Sequence, residues 1–302
     1  MELVDYKGKC DKPICLALGF FDSVHNGHKY LLDKCVLSEF IPAVFTFANN
    51  PQSKISGMSK QCYTFDERVQ ILQKIGIKLV ISSYFDSKFM RLNGLEFLDG
   101  LTANFNIKKV VFGTDYTCGV NAMCKASEVK EYFISKGIQV EVVDLLCVQN
   151  CKIATRDIRE LLKQGKIEQV NQLLPYPYFM IGRVEKGRNV GGNVVGYPTA
   201  NVAYPQDKIE VKAGVYKTHI TIDNKVYLGL TNVGAHPTFD DYNFNLESFV
   251  IDFEGDLYGK EIKIEFFEYY RGISKFNNAS ELKAQIDSDF KRVLASKHEL
   301  EN

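Results

Sequence analysis

The stretch that most constrains the fold is Leu18-Gly19-Phe20-Phe21-Asp22-Ser23-Val24-His25-Asn26-Gly27-His28. The residues before it, Pro13-Ile14-Cys15-Leu16-Ala17, are mostly apolar and predict a buried parallel strand. Behind it, Tyr30, Leu31, Leu32, Cys35 and Val36 recur at helical spacing. The stretch is therefore expected to be a strand-to-helix turn. A helix start leaves backbone N–H groups unpaired and carries partial positive charge, so it suits a phosphate. Gly27 lets a ligand approach the backbone closely. His25 and His28, three residues apart, can hydrogen-bond phosphates and meet the charge that grows on a departing pyrophosphate.

Length and composition bound the rest. The 302 residues suffice for two ordinary domains, and 45% hydrophobic with 25% charged residues is globular usage. Formal net charge is zero, which offers no broad attraction for nucleic acid or an anionic membrane and favours small-molecule substrates. The N-terminal segment carries no apolar signal core, and no apolar run reaches spanning length, so a soluble cytoplasmic protein is expected. The eight cysteines, at 10, 15, 35, 62, 118, 124, 147 and 151, form no Cys-x-x-Cys and read as free thiols in a reducing compartment. They all lie in the first half, a first hint of two domains. A homo-oligomer is compatible with all of this.

Strands are predicted at 41–48, 79–82, 109–113 and 139–143, alternating with helices. One helix opens with a capping box at Thr64 and Glu67, and another spans 94–105. This alternation predicts a doubly wound parallel sheet with ligand loops at the strands' carboxyl ends. That places Asn49 and Asn50 after one strand and Asp115 after another among the candidate site residues. A further helix is expected over 158–174, and Pro175-Tyr176-Pro177 ends it, so the domain boundary is set at 176/177. Short β-like runs follow at 179–185, 213–222, 225–233, 246–253 and 261–269, and a final amphipathic helix at 278–297. They predict a small antiparallel barrel with a helix packed on it. In this half Thr199 and Asn201, two apart on a strand, offer oxygen ligands suited to Mg²⁺.

The Gly-Phe-Phe-Asp-x-Val-His-x-Gly-His run resembles the signature of nucleotidyltransferases, and most closely the adenylyltransferase half of bacterial bifunctional riboflavin kinase/FAD synthetases. The resemblance implies nucleotide or flavin contacts from Gly19, Phe20, Phe21, Asp22, Gly27 and Asn50, with Asp115 accepting from a ribose or flavin hydroxyl. Lys152-Ile153-Ala154-Thr155-Arg156-Asp157-Ile158-Arg159 resembles the family's Ile-Ser-Ser-Thr-x-Ile-Arg, which implies phosphate contacts from Thr155 and Arg159, with Arg156 as a compensating cation. Two departures stand out. Ala122 occupies a position where the family has arginine, and Ala154, Thr155 and Arg156 stand where it has two serines and a threonine.

From about 180 to 275 the chain is similar to the riboflavin kinase module. The similarity is carried by Gly182-Arg183-Val184, Gly196-Tyr197-Pro198-Thr199-Ala200-Asn201, Gly214-Val215-Tyr216, Asn232-Val233-Gly234, Leu246-Glu247 and Asp252 to Gly259. It implies Glu247 as the base for the riboflavin 5′-hydroxyl and Thr199 and Asn201 as Mg²⁺ ligands. It also implies phosphate or flavin contacts from Arg183, Lys186, Gly196, Pro198 and Arg271, although Arg271 reads nearly as well as an ordinary surface arginine. The expectation is therefore a Rossmann-like α/β nucleotidyltransferase domain over 1–176 and a riboflavin kinase β-barrel over 177–302. It would make FMN from riboflavin and FAD from FMN, with ATP and Mg²⁺. A kinase whose N-terminal domain turns over weakly, or a flavin-sensing binding protein, are the alternatives.

Overall fold

The computed structural model describes the chain apart from residues 56, 58–59, 145–152, 186–198, 237–240, 277 and 297–302. It divides into two compact units, Met1–Thr155 and Arg156–Asn302.

The first unit runs β1 (Glu2–Asp5), β2 (Cys10–Leu18), α1 (Asn26–Val36), β3 (Ile41–Phe47), α2 (Gln52–Ile55), α3 (Phe65–Ile75), β4 (Leu79–Ser83), α4 (Gly94–Asn104), β5 (Phe105–Gly113), β6 (Thr117–Cys118), β7 (Cys124–Lys125), α5 (Ala126–Ser135) and β8 (Gln139–Val143). Six strands form one parallel sheet in the order β1-β4-β3-β2-β5-β8. From β2 the chain winds outward through β3 and β4, then crosses back to β5 on the other side of β2. The order thus reverses at β2, and ligands of open α/β sheets bind at the carboxyl ends around such a reversal. The inner stretches of β2, β3, β4 and β5 are buried on both faces, which is why they read as apolar runs. Ile14, Leu16, Phe45, Ile81, Val110 and Phe112 build the core with Phe97, Leu101 and Phe133 from the helices. The expected capping box is present: Thr64 Oγ1 accepts from Glu67 N at 3.3 Å, and Thr64 N donates to Glu67 Oε2 at 2.8 Å. The sheet also has an edge strand that the sequence pattern did not reveal. β1 is only four residues long and mostly exposed, too short and too polar to show a period.

The second unit begins within α6 (Thr155–Gln164), at Arg156, and continues into α7 (Ile167–Leu173), where one helix over 158–174 was expected. Gly165, at φ +73°, breaks it, and a Cβ there would sit 2.9 Å from the Lys212 side chain. α7 is tied to the barrel: Asn171 Nδ2 donates to Phe266 O at 2.8 Å, and its Oδ1 accepts from Tyr178 N at 2.9 Å. The strands are β9 (Phe179–Glu185), β10 (Thr199–Ala203), β11 (Gly214–Ile222), β12 (Lys225–His236), β13 (Asp241–Val250) and β14 (Glu261–Arg271), and α8 (Ala279–Leu294) closes the chain. They form a closed antiparallel barrel in the order β10-β13-β12-β11-β14-β9. Asp223 and Asn224, both at positive φ, make the tight turn between β11 and β12. Inside, the hydroxyls of Thr218, Thr231 and Ser248 form a chain at 2.8 Å per step, so these buried polar groups satisfy one another. Outside, Ile286, Phe290 and Val293 of α8 cover Val215, Leu230 and Phe249.

Candidate active sites

The signature turn follows β2 directly and is held in an unusual backbone. Phe21 at φ +54° and Val24 at φ +42° are left-handed without being glycine, and a β-branched residue there is strained. Such conformations persist only where the surroundings over-determine them, and they cluster at functional sites. The ring of Phe21 folds back over Gly19, where an added Cβ would lie 2.7 Å from its Cζ. Asp22 is buried and accepts from Cys62 N at 2.8 Å. Ser23, also buried, shares a hydrogen bond of 3.0 Å with Thr155 at the start of α6.

His25 is the N-cap of α1: its Nδ1 accepts from His28 N at 3.2 Å. That bond puts the ring proton on Nε2. The His25 and His28 rings stack with centroids 3.7 Å apart at 13°, and Phe21 meets His28 edge-on at 5.3 Å. Gly27 makes the stack possible, since a Cβ there would sit 3.1 Å from the His25 ring. Burial lowers the His25 pKa to about 4. It pulls His28 well below the ordinary histidine value too, with His25's charge as the second cause. At neutral pH both are therefore neutral rings. His28 Nδ1 is enclosed and has no hydrogen-bond partner among the described residues.

In the lip after β3, Asn49 and Asn50 are tied into the surrounding loops. Asn50 is buried, donating to Lys60 O at 3.0 Å and accepting from Gln52 N at 3.0 Å, so its amide shapes the loop. Asn49 pairs with the backbone of Phe85 in both directions, at 3.1 and 2.7 Å. Between this lip and the signature lies Arg68, which sequence reasoning passed over. It is wholly buried on α3. The available signal was its place in the stripe Arg68, Ile71, Leu72, Ile75, where a charge has no reason to be unless it is held. Asp115 is exposed in the turn after β5. Ala122 lies in a 3-10 turn with Asn121, both at positive φ, and its carbonyl accepts from Lys125 Nζ at 2.7 Å. Arg156 is exposed beside Asp157, and Arg159 is half-buried one turn beyond Thr155 on α6.

In the barrel, the register aligns residues far apart in sequence. Asn201 on β10 lies opposite Glu247 on β13, which lies opposite Asn232 on β12. Residues directly opposite in an antiparallel pair share a face, with Cβ atoms about 5 Å apart. Their neighbours Ala200, Val202, Leu246, Ser248, Thr231 and Val233 are buried, so these three partly exposed polar residues form a row on the barrel's outer face. Thr199, two before Asn201, is on that face too. Arg183 is exposed on β9. Arg271 is committed to the fold: Nε and Nη2 donate to Asp289 Oδ2 of α8 at 2.9 and 2.7 Å. Lys186, Gly196 and Pro198 lie outside the described residues. Among the described residues no cluster of three or more His, Cys, Asp or Glu could hold a metal ion.

Two family models match the chain, FAD synthetase over residues 7–157 and riboflavin kinase over residues 174–297. The bifunctional riboflavin kinase/FMN adenylyltransferase of Listeria monocytogenes is 30% identical over 282 residues, 91% of this chain and 89% of its own length. That of Bacillus subtilis is 31% identical over 290 residues, covering 92% and 91%. A crystal structure described as a macrolide-efflux protein from Streptococcus pneumoniae superposes with a TM-score of 0.83 at 26% identity, over 96% of this chain and 98% of that one. Among the described residues of this chain no helix is long and apolar enough to cross a membrane. With both models matched in the same order as the parallel-sheet unit and the barrel, this chain belongs to the bifunctional riboflavin kinase/FMN adenylyltransferase family.

Proposed function

We propose that the chain phosphorylates riboflavin to FMN in its barrel and adenylylates FMN to FAD in its parallel-sheet unit. The observation that carries this is the separation of two polar constellations, one in each compact unit: the stacked histidines at the start of α1, and the row Asn201, Glu247, Asn232 on the barrel. The functional halves are 1–176 and 177–302, because Thr155, Arg156 and Arg159 are assigned to adenylyl transfer although α6 and α7 pack with the barrel. Free cysteines among the described residues accord with a cytoplasmic setting.

In the kinase half, Glu247 takes the proton from the riboflavin 5′-hydroxyl as that oxygen attacks the γ-phosphorus of ATP and ADP leaves. Thr199 and Asn201 offer a hydroxyl and an amide oxygen on one face beside a carboxylate, a hard-oxygen set that fits Mg²⁺. Bound there, Mg²⁺ would neutralise phosphate charge. Arg183, Lys186, Gly196, Pro198 and Arg271 are assigned to nucleotide and flavin contacts, and Arg271 also holds α8 through Asp289.

In the adenylyltransferase half, an FMN phosphate oxygen attacks the α-phosphorus of ATP and pyrophosphate leaves. The N–H groups opening α1, the neutral His25 and His28, and the Thr155 hydroxyl meet the charge on the departing group, with Arg156 and Arg159 as cations. Gly19, Phe20, Phe21, Asp22 and Gly27 shape the pocket, Asn50 sets its second lip, and Asp115 accepts from a ribose or flavin hydroxyl. The test is incubation with riboflavin, ATP and Mg²⁺, followed by chromatography. FMN followed by FAD is expected; a mixture containing neither product contradicts the proposal.

A further inference from the structure

A side chain outside the signature helps to hold the strained signature turn. Arg68 Nη1 donates to Phe20 O at 2.9 Å and to Thr46 Oγ1 at 2.9 Å. Its Nη2 donates to Phe47 O at 2.7 Å. Thr46 Oγ1 itself donates to Phe20 O at 2.8 Å. The guanidinium also lies 4.7 Å from the centre of the Phe20 ring and 5.5 Å from that of Phe65. One fully buried fork thus ties the carbonyl just past the end of β2 to the carbonyl at the end of β3. These are the two lips of the crevice at the sheet's reversal point. The segment leading into α3 adds a second hold, through Cys62 N on Asp22.

A buried guanidinium is costly unless its donors are matched, and the Nη donors of this one go to the carbonyls of Phe20 and Phe47 and to the Thr46 hydroxyl. A compact ammonium cannot reproduce two divergent, coplanar donors. We infer that Arg68 is a positioning residue for adenylyl transfer: it fixes the signature turn, and with it His25 and His28, against the β3 lip. The inference rests on assigning FAD synthesis to this unit. Its consequence is kinetic. A misplacement of about 1 Å between reacting groups can cost on the order of 10²-fold in rate.

The experiment uses the full chain. Arg68→Lys keeps the charge and loses the fork, and Thr46→Val keeps the shape and removes one donor to Phe20 O. Each is assayed for FAD formation from supplied FMN and for FMN formation from riboflavin, with melting temperature recorded. For Arg68→Lys, kcat for FAD formation should fall about 10- to 100-fold, with KM for ATP and FMN changed far less and FMN formation unchanged. Thr46→Val should move kcat in the same direction by less, and it decides the matter if the lysine variant does not fold. A lowered melting temperature with wild-type kcat below it means a merely structural role and overturns the inference, as does a rise in KM alone or an equal loss of both activities. If the unsubstituted chain makes no FAD from FMN and ATP, the assignment of the unit itself fails, and that outcome is read before any variant.

Discussion

The hydroxyls of Ser23 and Thr155 lie 3.0 Å apart although 132 residues separate them. One belongs to the signature turn and the other opens α6, so a single hydrogen bond joins two stretches that resembled separate motifs in sequence. Within the first unit the bond brings the Thr155 hydroxyl to the turn that carries the two imidazoles. The loss of Thr155 is therefore expected to disturb the turn as well as any phosphate contact.

Glu247→Gln should abolish FMN formation and leave FAD formation from supplied FMN intact. The substitution keeps the shape of the row with Asn201 and Asn232 and removes the base. General bases contribute about 10²–10⁴-fold. Chromatographic assay of each half-reaction checks it, and equal loss of both in a folded variant would contradict the assignment.

His28→Ala should do the reverse. It removes one ring of the stack while His25 keeps its capping role through the His28 backbone N–H. FAD synthesis should drop by about 10²- to 10⁴-fold with kinase activity retained. Normal FAD synthesis in this variant removes His28 from the mechanism.

Stability of the parallel-sheet unit should decline as pH falls from about 6.5. Both histidines titrate below their unfolded value, so in this window the unfolded chain binds protons that the folded chain refuses. Stability then rises with pH and is lost on acidification, by roughly 1.4 kcal/mol per unit for each ring. For His25, whose pKa is pushed down to about 4, the loss should level off near that pH. Melting temperatures at pH 7, 6 and 5 should fall less steeply for His25→Asn, which keeps a good N-cap without the titrating ring. Equal slopes would show that His25 does not contribute.

Adenylyl transfer should be the weaker of the two activities. Ala122 and Ala154 offer no side-chain donor where the family has arginine and serine, and loss of one donor to a developing charge can cost roughly 3–4 kcal/mol. Arg156 is exposed at the helix start and available as a replacement cation. Its change to alanine should lower the rate of FAD synthesis further, and Ala122→Arg should raise it. If neither substitution moves the rate, the compensation is absent.

Much of this was legible because it depends on local rules. The parallel strands stood out as apolar runs and the capping box at Thr64 and Glu67 as a spacing. The His25–Gly27–His28 arrangement was legible as a motif, but not as a stack: nothing local says that Gly27 is needed for the His25 ring. The barrel's sixth strand, β10, is legible around Thr199 and Asn201 but too short to stand out among the barrel's β-like runs. The row of Asn201, Glu247 and Asn232 depends on register between strands, which long-range pairing decides. Arg68 was missed for the same reason: its partners are backbone carbonyls of two strand ends that only the folded sheet brings together.

The two sheets also differ in what they leave unfinished. The barrel closes on itself, so its strands offer no open side. The parallel sheet ends in β1 and β8, each hydrogen-bonded to a neighbour on one side only. Unpaired strand backbone is a template for pairing with another chain. Association between copies through the parallel sheet would therefore form at Glu2–Asp5 or at Gln139–Val143. A fusion attached at residue 1 would sit beside the open side of β1.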